Sequence, residues 1–310
     1  MRRYRAMFVT GRALALLGVL AVPMAAAGRR DEGRDEDRNK DREKEMSRAV
    51  VKRLVERSLP RWNRDVLDVP DGKRWVEEVE FDRILAAVGD HPLSQDLPPG
   101  ARQFRDEQRT VRLDPGKGAI RYLSRERAWT FQRDFQKPAF DPRRSLRRVL
   151  ETVRALGAPL EEAGEPRIET QVGAGAAAGS PRTTDSFEMY RLVLFSRRAG
   201  RLPVYGSGIQ AVVSHQGQVQ RLHVSWPAFS LASRLRLRSR PLVVDDAVRQ
   251  ILNQQPGPGT RLKTSLVYAP EEDEKKVLHY VPSALIAVSS PPTPYLVLVP
   301  IAATDDDDES

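Results

Sequence analysis

Four histidines, four acidic clusters, two arginine clusters and one glycine-flanked serine are the residues here whose types could do chemistry. The histidines are His91, His215, His223 and His279. His215 stands beside Gln216-Gly217, and His223 follows Gly217 by six positions, so the two are not a close pair. With no cysteine in the chain, thiolate metal sites and cysteine nucleophiles are excluded, and neither a metal site nor a cofactor is expected. The acidic clusters are Glu77-Glu78, Glu161-Glu162, Asp245-Asp246 and Glu271-Glu272-Asp273-Glu274. Neighbouring residues of a helix or strand point apart, so a doublet is not a general acid–base dyad. Asp245 or Asp246 reads as a helix N-cap, and the other clusters read as loops. Gly116-Lys117-Gly118 lacks the Gly-Lys-Ser/Thr element and the following helix of a phosphate loop. Ser207 lies between Gly206 and Gly208, but a nucleophile elbow needs glycine at 205, where Tyr205 stands. No catalytic residue is expected. The contrasting class is a secreted hydrolase whose site is scattered through the sequence.

The arginines suggest binding rather than catalysis. Arg234, Arg236, Arg238 and Arg240 alternate, which places four cations on one face of any extended segment. Arg143, Arg144, Arg147 and Arg148 form a second cluster. The sequence has 51 Lys and Arg against 42 Asp and Glu, a net charge of +9. The expected partner is anionic: an acidic protein or an anionic envelope component. Nucleic acid is disfavoured by an aromatic content of 6% and by the export signal described below.

The elements that must position these residues follow from periodicity. Ala49 to Val55 carries a helical apolar stripe that should stop before Pro60. Val76 to Leu85 suggests a short helix, and Asp96 to Gly100 a loop. Thr110 to Leu113 and Ala119 to Leu123 flank the turn Asp114-Pro115-Gly116-Lys117-Gly118. Ser145 to Leu156 is the clearest helix, with Leu146, Val149, Leu150 and Val153 on one face and Gly157 after its end. Gly173 to Gly179 reads as a flexible loop. Strands follow at Phe187 to Ser196, Val204 to Ser214 and Gln218 to Trp226, then a helix from Asp246 to Asn253. Three strands close the sequence: Arg261 to Tyr268, Leu278 to Val288 and Tyr295 to Ile301. A helix followed by antiparallel strands thus occurs twice, which indicates an α+β fold rather than a doubly wound sheet.

Residues 1–27 read as a secretory signal. Arg2, Arg3, Arg5 and Arg12 precede the apolar run Ala13 to Val22, Pro23 breaks it, and Ala25-Ala26-Ala27 offers a cleavage site before Gly28. Ten helical residues rise about 15 Å, half of a bilayer core of about 30 Å. The expected product is exported, periplasmic or extracellular, with no transmembrane span after cleavage. Residues 28–48 form a charged low-complexity linker, and Asp305 to Glu309 an acidic tail.

The segment Leu202 to Val219, with Pro203, Tyr205, Gly206, Gly208 and Gly217, resembles the strand-turn-strand core of PepSY-type modules. It is also similar to the propeptide modules of secreted thermolysin-like proteases. Asp245 to Leu252 resembles the acid-led helix of such a module, and the match spans Ser186 to Asn253. The resemblance implies a helix packed on an antiparallel sheet, a PepSY- or cystatin-like module, single or two in tandem. It also implies an inhibitory, chaperone-like or regulatory role toward another polypeptide. No His-Glu-x-x-His is present, so the protease itself is excluded. In the strands themselves, Ile209, Ala211 and Val213 share one face, and Leu222, Val224 and Trp226 the matching face. Gly206 and Gly208 mark a bulge, bend or close approach. The expected organisation is an N-terminal α+β extension at 49–140, a PepSY-like region at 141–303 and the tail at 304–310.

Overall fold

The structure, a computed structural model, describes residues 48–72, 75–91, 102–135, 137–175, 185–272, 278–290 and 293–304. The signal, residues 28–47 of the charged linker, the loop at 96–100, residues 176–179, Asp273-Glu274 and the acids of 305–309 lie outside the described residues, while Arg48, assigned to the linker, opens a helix. The fold is mixed α+β with a large, mostly antiparallel sheet. Two units alternate along the sequence. Among the described residues the first takes 72–198 and 206–229, and the second 48–71, 199–205 and 230–304. The boundary expected at 140/141 falls inside the first unit.

The first unit holds α2 (Phe81–Val88), β1 (Gln103–Arg105), β2 (Arg109–Asp114), β3 (Ala119–Ser124), α3 (Phe131–Asp134) and α4 (Pro142–Ala155). It continues through β4 (Arg167–Gly175), most of β5 (Asp185–Ala199), much of β6 (Leu202–Val213) and β7 (Val219–Ser225). The strand order is β1-β2-β3-β7-β6, and β6 pairs with β5, which pairs with β4. Helix α4 starts earlier than its apolar stripe suggests. Asp141 accepts a hydrogen bond from the Arg144 amide at 2.8 Å, and Pro142 enters the first turn with φ preset. Gly157 follows the helix with φ 81°, the left-handed conformation in which glycine carries no Cβ penalty. The two faces read from alternation are both interior: Ile209, Ala211, Val213, Leu222, Val224 and Trp226 are buried with Val149 and Val153 of α4.

One strand reading and one helix reading need correction. Gly173 to Gly175, read as loop, are the end of β4, where pairing with Phe187, Ser186 and Asp185 supplies the backbone partners that composition does not reveal. The helix expected to begin at Asp246 begins at Arg240.

The second unit contains α1 (Arg48–Ser58), the first residues of β6, β8 (Leu235–Leu237), α5 (Arg240–Leu252), β9 (Arg261–Glu272), β10 (Leu278–Ser289), β11 (Tyr295–Pro300) and β12 (Ala302–Thr304). β9, β10 and β11 form an antiparallel sheet, and Val204 of β6 bridges Tyr268 in parallel. Val51 and Val55 of α1 and Val243, Val244, Ala247, Val248 and Ile251 of α5 bury against Ala284, Ile286, Val297 and Val299. β8 and β12 make a separate antiparallel ribbon.

Candidate functional site

The arginine segment is not one continuous face. Only Leu235–Leu237 is strand, and Arg234 has φ 57°, which breaks the alternation on one side. On the other side Ser239 is the N-cap and Arg240 the first residue of α5. Pro241 explains the early start, because its fixed φ suits the first turn and it has no amide hydrogen to leave unpaired. Asp245 and Asp246 are therefore in the second turn of α5 and are not caps. Asp246 accepts from Arg238 at 2.5 Å and from Arg249 at 2.5 Å, and Asp245 pairs with Lys52 at 3.2 Å.

Two of the four arginines hold the fold. Arg238 also donates to the Pro300 carbonyl at 3.0 Å. Arg240 donates to the carbonyls of Glu56, Leu59 and Pro60 at 2.9, 2.8 and 3.0 Å, and its guanidinium lies 5.7 Å from the Trp62 ring centroid. It thereby serves as the cation at the C-terminal end of α1. Arg234 and Arg236 are exposed. In the β8–β12 ribbon, Leu235, Arg236 and Leu237 face Thr304, Ala303 and Ala302.

Beside this ribbon the second unit has a cavity of about 390 Å³. Arg236, Arg238 and Glu271 supply its charged wall, and Leu237, Leu242 and Val281 are among its apolar lining. Leu242 is 56% exposed. The wall is of mixed charge: Arg238 is paired with Asp246, and Arg236 and the Glu271 carboxylate both line it.

The other sequence candidates are placed elsewhere. His215 Nδ1 contacts the Pro138 carbonyl at 2.8 Å in the turn after β6, while His223 lies in mid-β7 opposite Gln210 and His279 on β10 opposite Glu271. Ser207 Oγ is buried and has no hydrogen-bond partner among the described residues. Among the described residues no group of three or more His, Asp or Glu is placed to hold a metal ion. Gly206 has φ 74° with open space around it, Gly217 has φ 77° against Phe140, and a Cβ at Gly208 would run into the Phe195 carbonyl oxygen. Pro203 and Tyr205 are half-buried on β6.

Buried polar clusters that the sequence did not announce lie in the first unit. Glu162, read as a loop acid, accepts from Arg197 and from the Trp226 indole. Arg127 donates to the carbonyls of Val88, Gly89 and Val219. Tyr122 donates to Asp90 at 2.9 Å, and burial first, then that carboxylate, pushes its phenol upward. Tyr268, on β9 of the second unit, is pushed up to about 12 by burial. A basic outer sheet face in the first unit also went unread. Its signal was the alternation of Arg112, Arg121, Arg221 and His223 with the apolar positions already recognised.

No family model matches the chain, and no curated protein matches it. A solved structure that it resembles is the crystal structure of an uncharacterized protein from Eubacterium rectale at 1.45 Å resolution, with 10% identity and a TM-score of 0.38. That similarity covers 71% of this chain and 76% of that one.

Proposed function

We propose that this is an exported, non-enzymatic binding or regulatory protein of the cell envelope. It holds an anionic segment of another polypeptide in the cavity beside β8. The observation that carries this reading is the joint lining of that cavity by Arg236, Arg238 and the exposed Leu242. A carboxylate meets the Arg236 guanidinium while a neighbouring apolar side chain covers Leu242. Charge alone would suit a rim, and an apolar wall alone would suit any hydrophobe; together they select an acidic-apolar peptide. The helix-on-antiparallel-sheet arrangement of each unit supports reading them as PepSY-like modules, two in tandem. Export rests on the Arg-rich, Ala-ending N-terminal segment.

The acids of 305–309 follow directly on β12, whose Ala303 faces Arg236. Held at high effective concentration, they compete with an external anion for the same arginines. The test is fluorescence anisotropy with a labelled peptide of alternating Asp and Leu, and with its Asn-Leu counterpart. The acidic peptide should bind at least tenfold more tightly, about 1.4 kcal/mol. Arg236→Gln or Leu242→Asp should abolish the difference, and deletion of 305–310 should strengthen binding at low salt. Equal affinity for the two peptides would contradict this function.

A further inference from the structure

Strand β11 is an edge of the second unit's sheet. It pairs with β10, and no strand of the described residues pairs with its other side. One hydrogen bond fixes which way its backbone groups point. The Ile301 amide donates to the Pro282 carbonyl of β10 at 2.9 Å. The N–H and C=O of a trans peptide are opposed, so the Pro300 carbonyl points away from β10. There it accepts from the Arg238 guanidinium at 3.0 Å. Direction alternates along a strand, so Tyr295, Val297 and Val299 turn their backbone groups to β10, and Leu296 and Leu298 turn theirs outward. Among the described residues nothing hydrogen-bonds to those two N–H and two C=O groups.

This edge has the composition of an interior strand. Val297 and Val299 are buried with α5, while Leu296 and Leu298 project from the opposite face, where Leu296 is 40% exposed. No residue from 289 to 304 is charged, in a chain with 30% charged residues. Strands that are apolar on both sides are usually covered on both. The other edges are guarded: β1 is three residues long and carries Arg105, and β4 carries Arg167, Glu169 and a register shift at Gln171/Val172. β11 has only Pro294 and Pro300 at its ends. Neither has an amide hydrogen to offer, so the open window is Leu296 to Leu298.

We infer that β11 is a dimerisation edge whose occupant is β11 of a second copy of this chain, paired antiparallel about a two-fold axis. One symmetric register uses every outward group. It sets Leu296 opposite Leu298 of the second copy, Leu298 opposite Leu296, and Val297 opposite its own counterpart on the axis. Each leucine pair exchanges two hydrogen bonds. A shift of two residues one way sets Leu296 against Pro300, which lacks an amide hydrogen and whose carbonyl Arg238 already holds. A shift the other way sets Leu298 against Pro294. A shift of one residue turns the leucines of the two copies to opposite faces. In the favoured register the leucines cover one another, and no like charges meet. The window is thus self-complementary, which a strand of unrelated sequence is not. Two strands this short make a small interface, so the dimer is weak and reversible.

The dimer does not depend on peptide capture in the cavity, and its test separates the two. Sedimentation equilibrium of the full chain across the micromolar range would compare the wild type with Leu296→Lys, Leu296→Lys/Leu298→Glu and Arg236→Gln. All four proteins share one N-terminus, so its apolar run cannot account for differences among them, and melting curves verify folding. The wild type should dimerise reversibly. Leu296→Lys should weaken association at least tenfold, because a lysine on an edge strand resists desolvation by a second strand. The double variant should regain most of that loss, because the register sets each introduced ammonium opposite an introduced carboxylate. Arg236→Gln should dimerise as the wild type does. A wild type that stays monomeric would overturn the inference, even if it took up an unrelated strand peptide. So would unchanged association in Leu296→Lys, a double variant as weak as the single one, or loss of the dimer in Arg236→Gln.

Discussion

Arg197 and Trp226 share one carboxylate oxygen: Arg197 Nε donates to Glu162 Oε2 at 2.9 Å, and Trp226 Nε1 donates to the same atom at 3.3 Å. The guanidinium carbon also lies 5.1 Å from the Trp226 ring centroid. Arg197 is fully buried, and Glu162 supplies a counter-charge beside it. Glu162→Ala leaves a buried cation without it and should destabilise the first unit by about 3–5 kcal/mol in urea unfolding. Glu162→Gln keeps an acceptor and should cost less. Gly72→Ala should also destabilise, because its Cβ would overlap the Arg197 guanidinium. Equal stability of wild type and Glu162→Ala would show that the carboxylate is not needed.

Gly206 combines a left-handed φ of 74° with open space, so its requirement is conformational and not steric. Gly206→Val should cost roughly 1–3 kcal/mol from backbone strain. Gly206→Asn should cost less, because Asn tolerates this region better than a β-branched residue. Melting curves for the three proteins decide it, and equal penalties for Val and Asn would point to packing.

Within the arginine segment, stability and binding should separate by position. Arg240→Ala removes three hydrogen bonds to carbonyls at the end of α1 and the stacking on Trp62. A loss of about 2 kcal/mol is expected, the range for hydrogen bonds to a charged donor. Arg234→Ala, exposed at φ 57°, should change stability by less than about 0.5 kcal/mol. Similar penalties at both positions would show that the alternating run acts as one element.

How far the sequence reached is visible in these same residues. Period-two alternation at 209–213 and 222–226 and the 3.6 period at 146–153 report burial directly, so the strands of the core and helix α4 were legible. The end of β4 was not, since Gly173-Ala174-Gly175 has loop composition and becomes strand only through its partner β5. Arg240 was assigned to a binding stripe because alternation is local, while its carbonyl partners lie 180 or more residues away. Asp245-Asp246 resembled a cap because acids favour helix starts, but Pro241 in the first turn lets the helix start at Arg240, six residues before Asp246. Glu162 carried no sequence signal at all, because its importance comes from Arg197 and Trp226.

His223 gives a pH prediction. Burial first, and then the charge of Arg121 on β3, hold its pKa below the ordinary 6.5. Gln210 faces it from β6, and Arg221 precedes it on the same side of β7. The unfolded chain therefore takes up this proton before the folded one as pH falls. Stability from this residue is complete above about pH 6.5 and declines as pH drops through the interval between the unfolded and folded values. Chemical denaturation at pH 7.5 and 5.0 should show a smaller pH-dependent loss for His223→Gln than for wild type. An identical loss in both would assign the pH dependence to other groups.

The most direct test of peptide capture by the second unit is its footprint. Hydrogen exchange read by mass spectrometry would follow the wild-type protein with and without the Asp-Leu peptide. Exchange should slow at Leu235–Leu237, at the start of α5 around Leu242 and at Ala302–Thr304, and Arg236→Gln should erase the change. Protection elsewhere with these segments unaffected would contradict the assignment of the cavity beside β8 as the binding site.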